Sequence, residues 1–316
     1  MSLSTPVAFI IFNRPDTAER VFAAIRQAKP LKLLVIADGS RLDRPDEAEK
    51  CAATRAIIDR VDWDCEVLRN YTDINLGCRK RISSGLDWVF EQVEEAIILE
   101  DDCLPSPDFF IFCQELLEYY RNDTRIWNIC GHNFQDGQFR GDGSYYFSHY
   151  PDPWGWATWR RSWQHYDRDL ADWTDFSSRH LFEEIFDNPL EIEHWSRILN
   201  RLHDENKPEA WDYRWIFTCL KNNALSIWPN VNLVSNIGFR EDGTNCQQES
   251  IWSNMSTGEI DTIKHPQFML RDRNADSYYF HHRQGGLQMI EQRKWNKRFR
   301  SQLGKIKRKI LKQHGE

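Results

Sequence analysis

The first half of the chain alternates short, uninterrupted apolar runs with longer segments whose apolar residues recur every three or four positions. Val7-Ala8-Phe9-Ile10-Ile11-Phe12, Leu33-Leu34-Val35-Ile36-Ala37 and Ala96-Ile97-Ile98-Leu99 have the pattern of strands buried on both faces of a parallel sheet. Cys65-Glu66-Val67-Leu68-Arg69 predicts a further, more polar strand. Between these runs Pro15 opens a helix over 15–28 with Val21, Phe22 and Ile25 on one side, and helices are predicted over 47–59 and 79–92. Strand and helix in alternation is the signature of an α/β fold with a mostly parallel central sheet flanked by helices. A helix over 107–120 and a strand over 126–130 continue it. The second half is less regular, with aromatic turns over 145–163 and helical stretches near 178–186, 192–204 and 210–222. No repeat, low-complexity segment or flexible linker divides the chain. The expected organisation is one unit over 1–250 (halves 1–130 and 131–250), an extension over 251–290 packing on it, and a tail over 291–316.

Ligands of open α/β sheets bind beyond the carboxyl ends of the strands. Asn13, Asp38, Asn75 and Glu100-Asp101-Asp102 all follow predicted strands, so they are expected to line one crevice. Consecutive acids at the end of a buried strand repel one another and raise each other's pKa, a cost that a bound cation relieves. Carboxylate oxygens, water and a diphosphate suit Mn²⁺ or Mg²⁺. A solvated acidic loop is the plain alternative, but the buried strand that leads into the triplet favours the cation.

Composition changes this picture in three places. The eight cysteines, at 51, 65, 78, 103, 113, 130, 219 and 246, never approach the spacing of a zinc site and read as reduced thiols. With no signal-peptide pattern and no window near the roughly 20 apolar residues of a membrane span, the expected compartment is a reducing cytoplasm. The net charge of −7 conceals a tail of +8 over 291–316, which leaves −15 for the rest. An acidic body argues against nucleic acid as a partner. The tail suits peripheral contact with an anionic inner membrane face, an acidic partner, or simply a solvated charged helix. Fourteen tryptophans, many of them over 154–252, fit either a core or a surface on which sugars stack.

Three blocks carry a family resemblance. Ile97-Ile98-Leu99-Glu100-Asp101-Asp102, followed by Pro105-Ser106-Pro107-Asp108-Phe109-Phe110, resembles the metal-site segment of the GT-A fold, inverting, N-acetylglucosaminyltransferase I-like group of nucleotide-diphospho-sugar transferases. Asp152-Pro153-Trp154-Gly155-Trp156 resembles the Gly-Trp acceptor-side loop of that group, and Ala210-Trp211-Asp212-Tyr213-Arg214-Trp215 its Trp-Asp segment with the catalytic base. The similarity covers roughly 5–245 in arrangement, with a donor half over 1–130 and an acceptor half over 131–250.

The resemblance implies a GT-A (Rossmann-like) fold and a hexosyl- or N-acetylhexosaminyltransferase that takes a sugar from a nucleotide-diphosphate donor, with UDP favoured as its nucleotide. The acceptor would be a glycan or lipid-linked hydroxyl in bacterial-type surface polysaccharide synthesis. It makes Asp102 the direct ligand of Mn²⁺ or Mg²⁺, with Asp101 and Glu100 facing the donor sugar or ribose. Asp38 would contact the base, Phe12, Asn13 and Arg14 would close over the nucleotide, and Asn75 and Arg81 would lie beside it. Trp154, Gly155, Trp156 and Trp211 fall on the acceptor side.

An inverting transferase needs a base for the acceptor hydroxyl, and Asp212 between Trp211 and Trp215 is the candidate. Its alternatives are capping a helix start or pairing with Arg214. Asn236 to Asn245, rich in turn residues, reads as a mobile loop over the donor or as an ordinary surface loop. His281-His282-Arg283 offers a further metal ligand, His281, or a positive group for the diphosphate, although adjacent histidines rarely face one site.

Other classes fit less well. A nucleotidyltransferase would carry a Gly-rich phosphate loop with a lysine after the first strand, where this chain has Phe12-Asn13-Arg14-Pro15. A glycoside hydrolase or carbohydrate-binding protein could use the aromatic cleft, yet neither requires acids at a nucleotide-type strand end.

Overall fold

A computed structural model describes residues 2–205, 207, 210–239 and 251–313. The strands of the first half are β1 (Val7–Ile11), β2 (Lys32–Ala37), β3 (Glu66–Tyr71) and β4 (Glu95–Glu100), with helices α1 (Pro15–Ala28), α2 (Glu47–Ala56) and α3 (Cys78–Gln92) between them. Then come β5 (Cys103–Pro105), α4 (Pro107–Tyr119), β6 (Ile126–Cys130), β7 (Tyr145–Ser148) and β8 (Trp156–Trp159). The short helices α5 (Arg160–Trp163) and α6 (Trp173–Ser178) precede α7 (Pro189–Glu205) and α8 (Asp212–Lys221). The described chain ends with β9 (Leu225–Pro229), β10 (Val234–Asn236), α9 (Arg273–His282) and α10 (Gly286–Gln313). Among the described residues no helix is long and apolar enough to cross a membrane.

Eight strands form one sheet in the order β3-β2-β1-β4-β8-β6-β9-β7. Only β7 and β8 run against the other six, which makes the sheet mostly parallel and Rossmann-like. Period-two alternation fixes its layers. Val7, Phe9 and Ile11 of β1 face a core shared with α1 and α4, whereas Ala8 and Ile10 face a second core shared with α3, α5 and α8. β2 and β4 divide their side chains in the same way, so the uninterrupted apolar runs are what a two-sided burial requires. A third, aromatic core fills the second half, where Phe134, Tyr150, Trp173, Trp195, Trp228 and Tyr279 are all buried.

Helix α1 starts with Pro15 in its first turn and ends at Lys29, whose left-handed backbone returns its N–H to the Ile25 carbonyl at 3.0 Å. The stretch expected to form aromatic turns over 145–163 instead contributes the two antiparallel strands β7 and β8. Every residue of these strands is buried, so they show none of the alternation that marks a half-exposed strand. The helical stretch expected near 178–186 is the end of α6 followed by a 3₁₀ turn over Leu181–Glu184.

The chain runs outward from β1 through β2 to β3 and returns on the other side of β1 to enter β4. The segments leaving β1 and β4 therefore diverge from neighbouring strands, which opens a crevice at their carboxyl ends. The two-stranded sheet of β5 and β10 closes one side of it, pairing Cys103 with Asn236.

Candidate functional site

Register builds the centre of the site. Ile10 of β1 pairs with Glu100, the last residue of β4, so Phe12 to Arg14 leave the sheet beside the three acids. Asp101 turns back and accepts the Phe12 N–H at 3.0 Å. Arg14 Nη1 donates to Asp102 Oδ2 at 2.7 Å and lies 3.9 Å from Asp101 Oδ1. Burial works against the Arg14 charge, yet Asp101 and Asp102 together hold its pKa above the ordinary value. Burial pushes Asp101 up to about 7 against the pull of Arg14, and burial with the neighbouring Asp102 and Asp101 raises Glu100 well above the usual carboxylate range.

Two clefts of about 380 Å³ each meet here, with Arg14, Cys78 and Glu100 in the walls of both. The first lies over β1 and β2 and is bordered by Phe12, Asp38, Arg41, Asn75, Arg81 and Asp101. Asp38 is almost fully used in holding this cleft together. Oδ1 accepts from Gly39 N at 3.0 Å, Thr72 Oγ1 at 3.0 Å and Leu76 N at 2.9 Å, and Oδ2 accepts from Gly77 N at 3.1 Å. Asn75 closes the same loop by donating Nδ2 to the Gly39 carbonyl at 2.8 Å. Arg81 is buried, donates to the Asn70 carbonyl at 2.8 Å, and has no partner for Nε. Burial lowers its pKa. Asn13, expected over the nucleotide, is not in the cleft wall; its amide donates to Glu47 Oε1 at 2.8 Å, and Glu47 in turn accepts the Arg41 N–H at 2.7 Å. Arg41 was not anticipated, because a polar loop between β2 and α2 carries no local sign of its approach to the Phe12 ring, 5.6 Å away.

The second cleft is bordered by Asp102, Trp154, Asp212, Tyr213, Gly238 and Arg283. Asp212 opens α8, and burial with nearby Asp152 pushes its pKa up to about 6, against hydrogen bonding from the Tyr213 N–H and the charge of Arg283. The Arg214 guanidinium turns away to the carbonyls of Arg168, at 2.9 Å, and Ala210, at 2.8 Å. Trp154 faces the cleft with Arg283 stacked over it at 4.6 Å.

Trp156, expected on the acceptor side, is a core residue instead. It is 0% exposed and packs against Trp211 with ring centroids 5.7 Å apart, so its indole offers no face to the cleft. Trp211 is 3% exposed and is among the residues that line the cleft. Gly155 between the two tryptophans has φ +67° and passes its carbonyl to the Gly131 N–H at 2.8 Å. A Cβ there would stand 2.7 Å from Val234 Cγ2, so glycine is the residue that this turn accepts.

His281 does not border either cleft. Its ring lies beside Phe280, its Nδ1 has no hydrogen-bond partner, and burial with the adjacent His282 lowers its pKa. Two residues further on, Arg283 is the member of this trio that reaches the site. Among the described residues no group of three or more His, Cys, Asp or Glu is arranged to hold a metal ion by itself. Of the loop expected over the donor, Asn236 to Phe239 are described and 240–245 lie outside the described residues. Ile237 N–H donates to the Asp102 carbonyl at 2.8 Å, and a Cβ on Gly238 would fall 2.1 Å from Asp102 Oδ2. That contact comes from pairing of β5 with β10 and has no signal in the local sequence.

No protein-family model matches this sequence. No curated protein matches it either. Among solved structures, 4-diphosphocytidyl-2C-methyl-D-erythritol synthase from Anaerococcus prevotii superposes at 12% identity with a TM-score of 0.34, covering 55% of this chain and 84% of that one. Nothing about the chemistry of this chain follows from a likeness of that size.

Proposed function

We propose that this protein is a metal-dependent glycosyltransferase that moves a sugar from a UDP-linked nucleotide-diphosphate donor to a hydroxyl acceptor. The observation that carries the reading is the junction of the two clefts at Glu100-Asp101-Asp102 on the β1/β4 crevice, with a carboxylate, Asp212, across the second cleft. The first cleft would take the nucleotide and the second the acceptor.

The residues fit a hard divalent cation. The donor set is all oxygen, and Glu100 and Asp101 have raised pKa values although Arg14 already lies beside them. Asp102 is the natural ligand, as its carboxylate lies at the cleft wall, accepts from Arg14 and packs closely against Gly238. When bound, Mn²⁺ or Mg²⁺ would supply positive charge to offset the departing diphosphate. The chain's own groups would do the remainder. Asp101 keeps the Phe12 to Arg14 segment against the sheet, Asp38 holds the loop that walls the donor, and Asp212 takes the proton of the attacking hydroxyl, which implies inversion.

Calorimetric titration with UDP and UDP-sugars, in Mn²⁺ and in chelator, tests the reading. Binding that requires the metal supports it. Failure of any nucleotide to bind under either condition removes it, and the aromatic cleft then becomes a candidate carbohydrate-binding or glycoside-hydrolysing site.

The tail belongs to the same proposal. On α10, Trp295 and Phe299 stack with centroids 5.3 Å apart, and Trp295, Phe299 and Leu303 are 63%, 47% and 49% exposed, spaced four residues apart. Exposed Arg293, Lys294, Lys297 and Arg298 flank them. An apolar ridge among cations suits the surface of an anionic bilayer, where a membrane-linked acceptor would be met. The protein is expected to sediment with phosphatidylglycerol vesicles and not with pure phosphatidylcholine, and Trp295→Ser with Phe299→Ser is expected to abolish this. Sedimentation unchanged by the double substitution would remove the membrane role.

A further inference from the structure

Arg283 is the one cation of the second cleft that Asp102 and Asp101 do not engage. Among the described residues its guanidinium donates no hydrogen bond and forms no ion pair, and its Nε is shut away from solvent without an acceptor. It rests instead on two aromatic faces, 4.6 Å from the Trp154 ring and 5.1 Å from that of Phe134, while bordering the cleft that Asp212 lines.

A buried chain of polar contacts fixes both walls behind it. Arg283 N–H donates to the Tyr279 carbonyl at 2.8 Å, and Gln284 Nε2 donates to the Tyr279 hydroxyl at 2.7 Å. That hydroxyl donates to Asp152 Oδ2 at 2.9 Å, Asp152 Oδ1 lies 3.2 Å from His132 Nε2, and His132 Nδ1 lies 3.0 Å from the Trp154 carbonyl. Asp152 is thereby held by Tyr279 and flanked by His132, and Arg283, which forms no ion pair with it, acts on it only through its charge. The guanidinium is held in place by stacking while its N–H edges remain unmatched.

We infer that the acceptor taken by the second cleft carries an anionic group, a carboxylate or a phosphate on the sugar that presents the attacking hydroxyl, and that Arg283 binds it. The inference rests on the glycosyltransferase reading of this cleft. A planar guanidinium with its fork of donors free matches either anion bidentately, and stacking on Trp154 reduces the freedom lost when it does. In a half-buried site a neutral acceptor would leave those donors without a charged partner. Donor phosphate is the weaker candidate, because Arg283 borders only the cleft of Asp212, whereas Arg14, Arg41 and Arg81 border the first. The acidic body makes the cation necessary, since an anion approaching Asp102 and Asp212 would otherwise be repelled.

The test is calorimetry of glucuronate, glucose 6-phosphate and glucose with the full-length protein in Mn²⁺ and UDP, on wild type and Arg283→Gln. At least one anionic sugar is expected to bind roughly tenfold to a hundredfold more tightly than glucose. Arg283→Gln should erase the difference while leaving UDP binding unchanged. Which anionic sugar shows the effect separates carboxylate from phosphate. Equal binding of all three sugars, no binding of either anionic sugar, or a preference that survives in Arg283→Gln would overturn the inference. Should Arg283→Gln fail to fold, Arg283→Lys keeps the charge without the fork and is expected to weaken the preference; an undiminished preference there overturns the inference too. Loss of UDP binding in wild type is a different result, and it counts against the glycosyltransferase reading.

Discussion

Asp212→Asn is expected to leave UDP and UDP-sugar binding unchanged while lowering sugar transfer by roughly 10²–10⁴-fold. The amide has nearly the shape of the carboxylate, and its oxygen can still accept the Tyr213 N–H, so the start of α8 should be undisturbed. It cannot take a proton. This separates a base from a helix cap, because Asn is itself among the best capping residues and would serve the structural role nearly as well. Near-normal turnover in the variant would therefore sink the assignment. The pH dependence provides an independent check. Burial, then Asp152, pushes Asp212 up to about 6, and only the ionised form can accept a proton. Transfer should hold steady above that pH and fall about tenfold per unit below it. The residual rate of Asp212→Asn should lack that inflection.

Asp102→Ala is expected to abolish metal-dependent UDP binding, read by calorimetry in Mn²⁺ against chelator. A stricter companion is Gly238→Ala, which leaves every carboxylate in place. Its new methyl would stand 2.1 Å from Asp102 Oδ2, and Arg14, donating to that oxygen at 2.7 Å, restrains it. The carboxylate must rotate or the β10 end must withdraw, and either should cost about 10–100-fold in metal affinity, the range typical for disturbing a ligand's supports. Unchanged Mn²⁺-dependent binding in both variants would show that Asp102 is not the ligand.

Much of the first half was legible because its strands are buried on both faces and so announce themselves as unbroken apolar runs. Val7 to Phe12 and Ala96 to Leu99 fall on β1 and β4 almost residue for residue, and the acids follow because a strand end is where the chain must leave the sheet. β5 and β10 have three residues each, too few for any period to register, yet their pairing brings Gly238 against Asp102. β7 and β8 were hidden by their bulk, since Tyr145 to Ser148 and Trp156 to Trp159 are buried throughout and sit among the turn-forming Pro151, Pro153 and Gly155. Strand ends located Asp38 correctly at the crevice, but nothing local foretold that loop N–H groups would occupy its carboxylate. His281 and Arg283 illustrate a different limit. His281 lies in the last turn of α9 and Arg283 just past its end, so membership of one short motif says little about a shared direction.

The turn at Gly155 has a consequence for how this protein can vary. Trp154 stands at the cleft with a cation stacked on it, and Trp156, two residues later, is sealed between Trp163, Trp211 and Trp215. Substitutions at 154 that keep a flat ring should be tolerated by the fold and register as changed ligand preference. At 156 the constraint is volume, and truncation to Ala leaves a cavity costing about 3–5 kcal/mol whatever the ligand. Directed evolution toward a new ligand therefore has freedom at 154 and almost none at 156, while Gly155 must stay fixed for the two positions to remain independent.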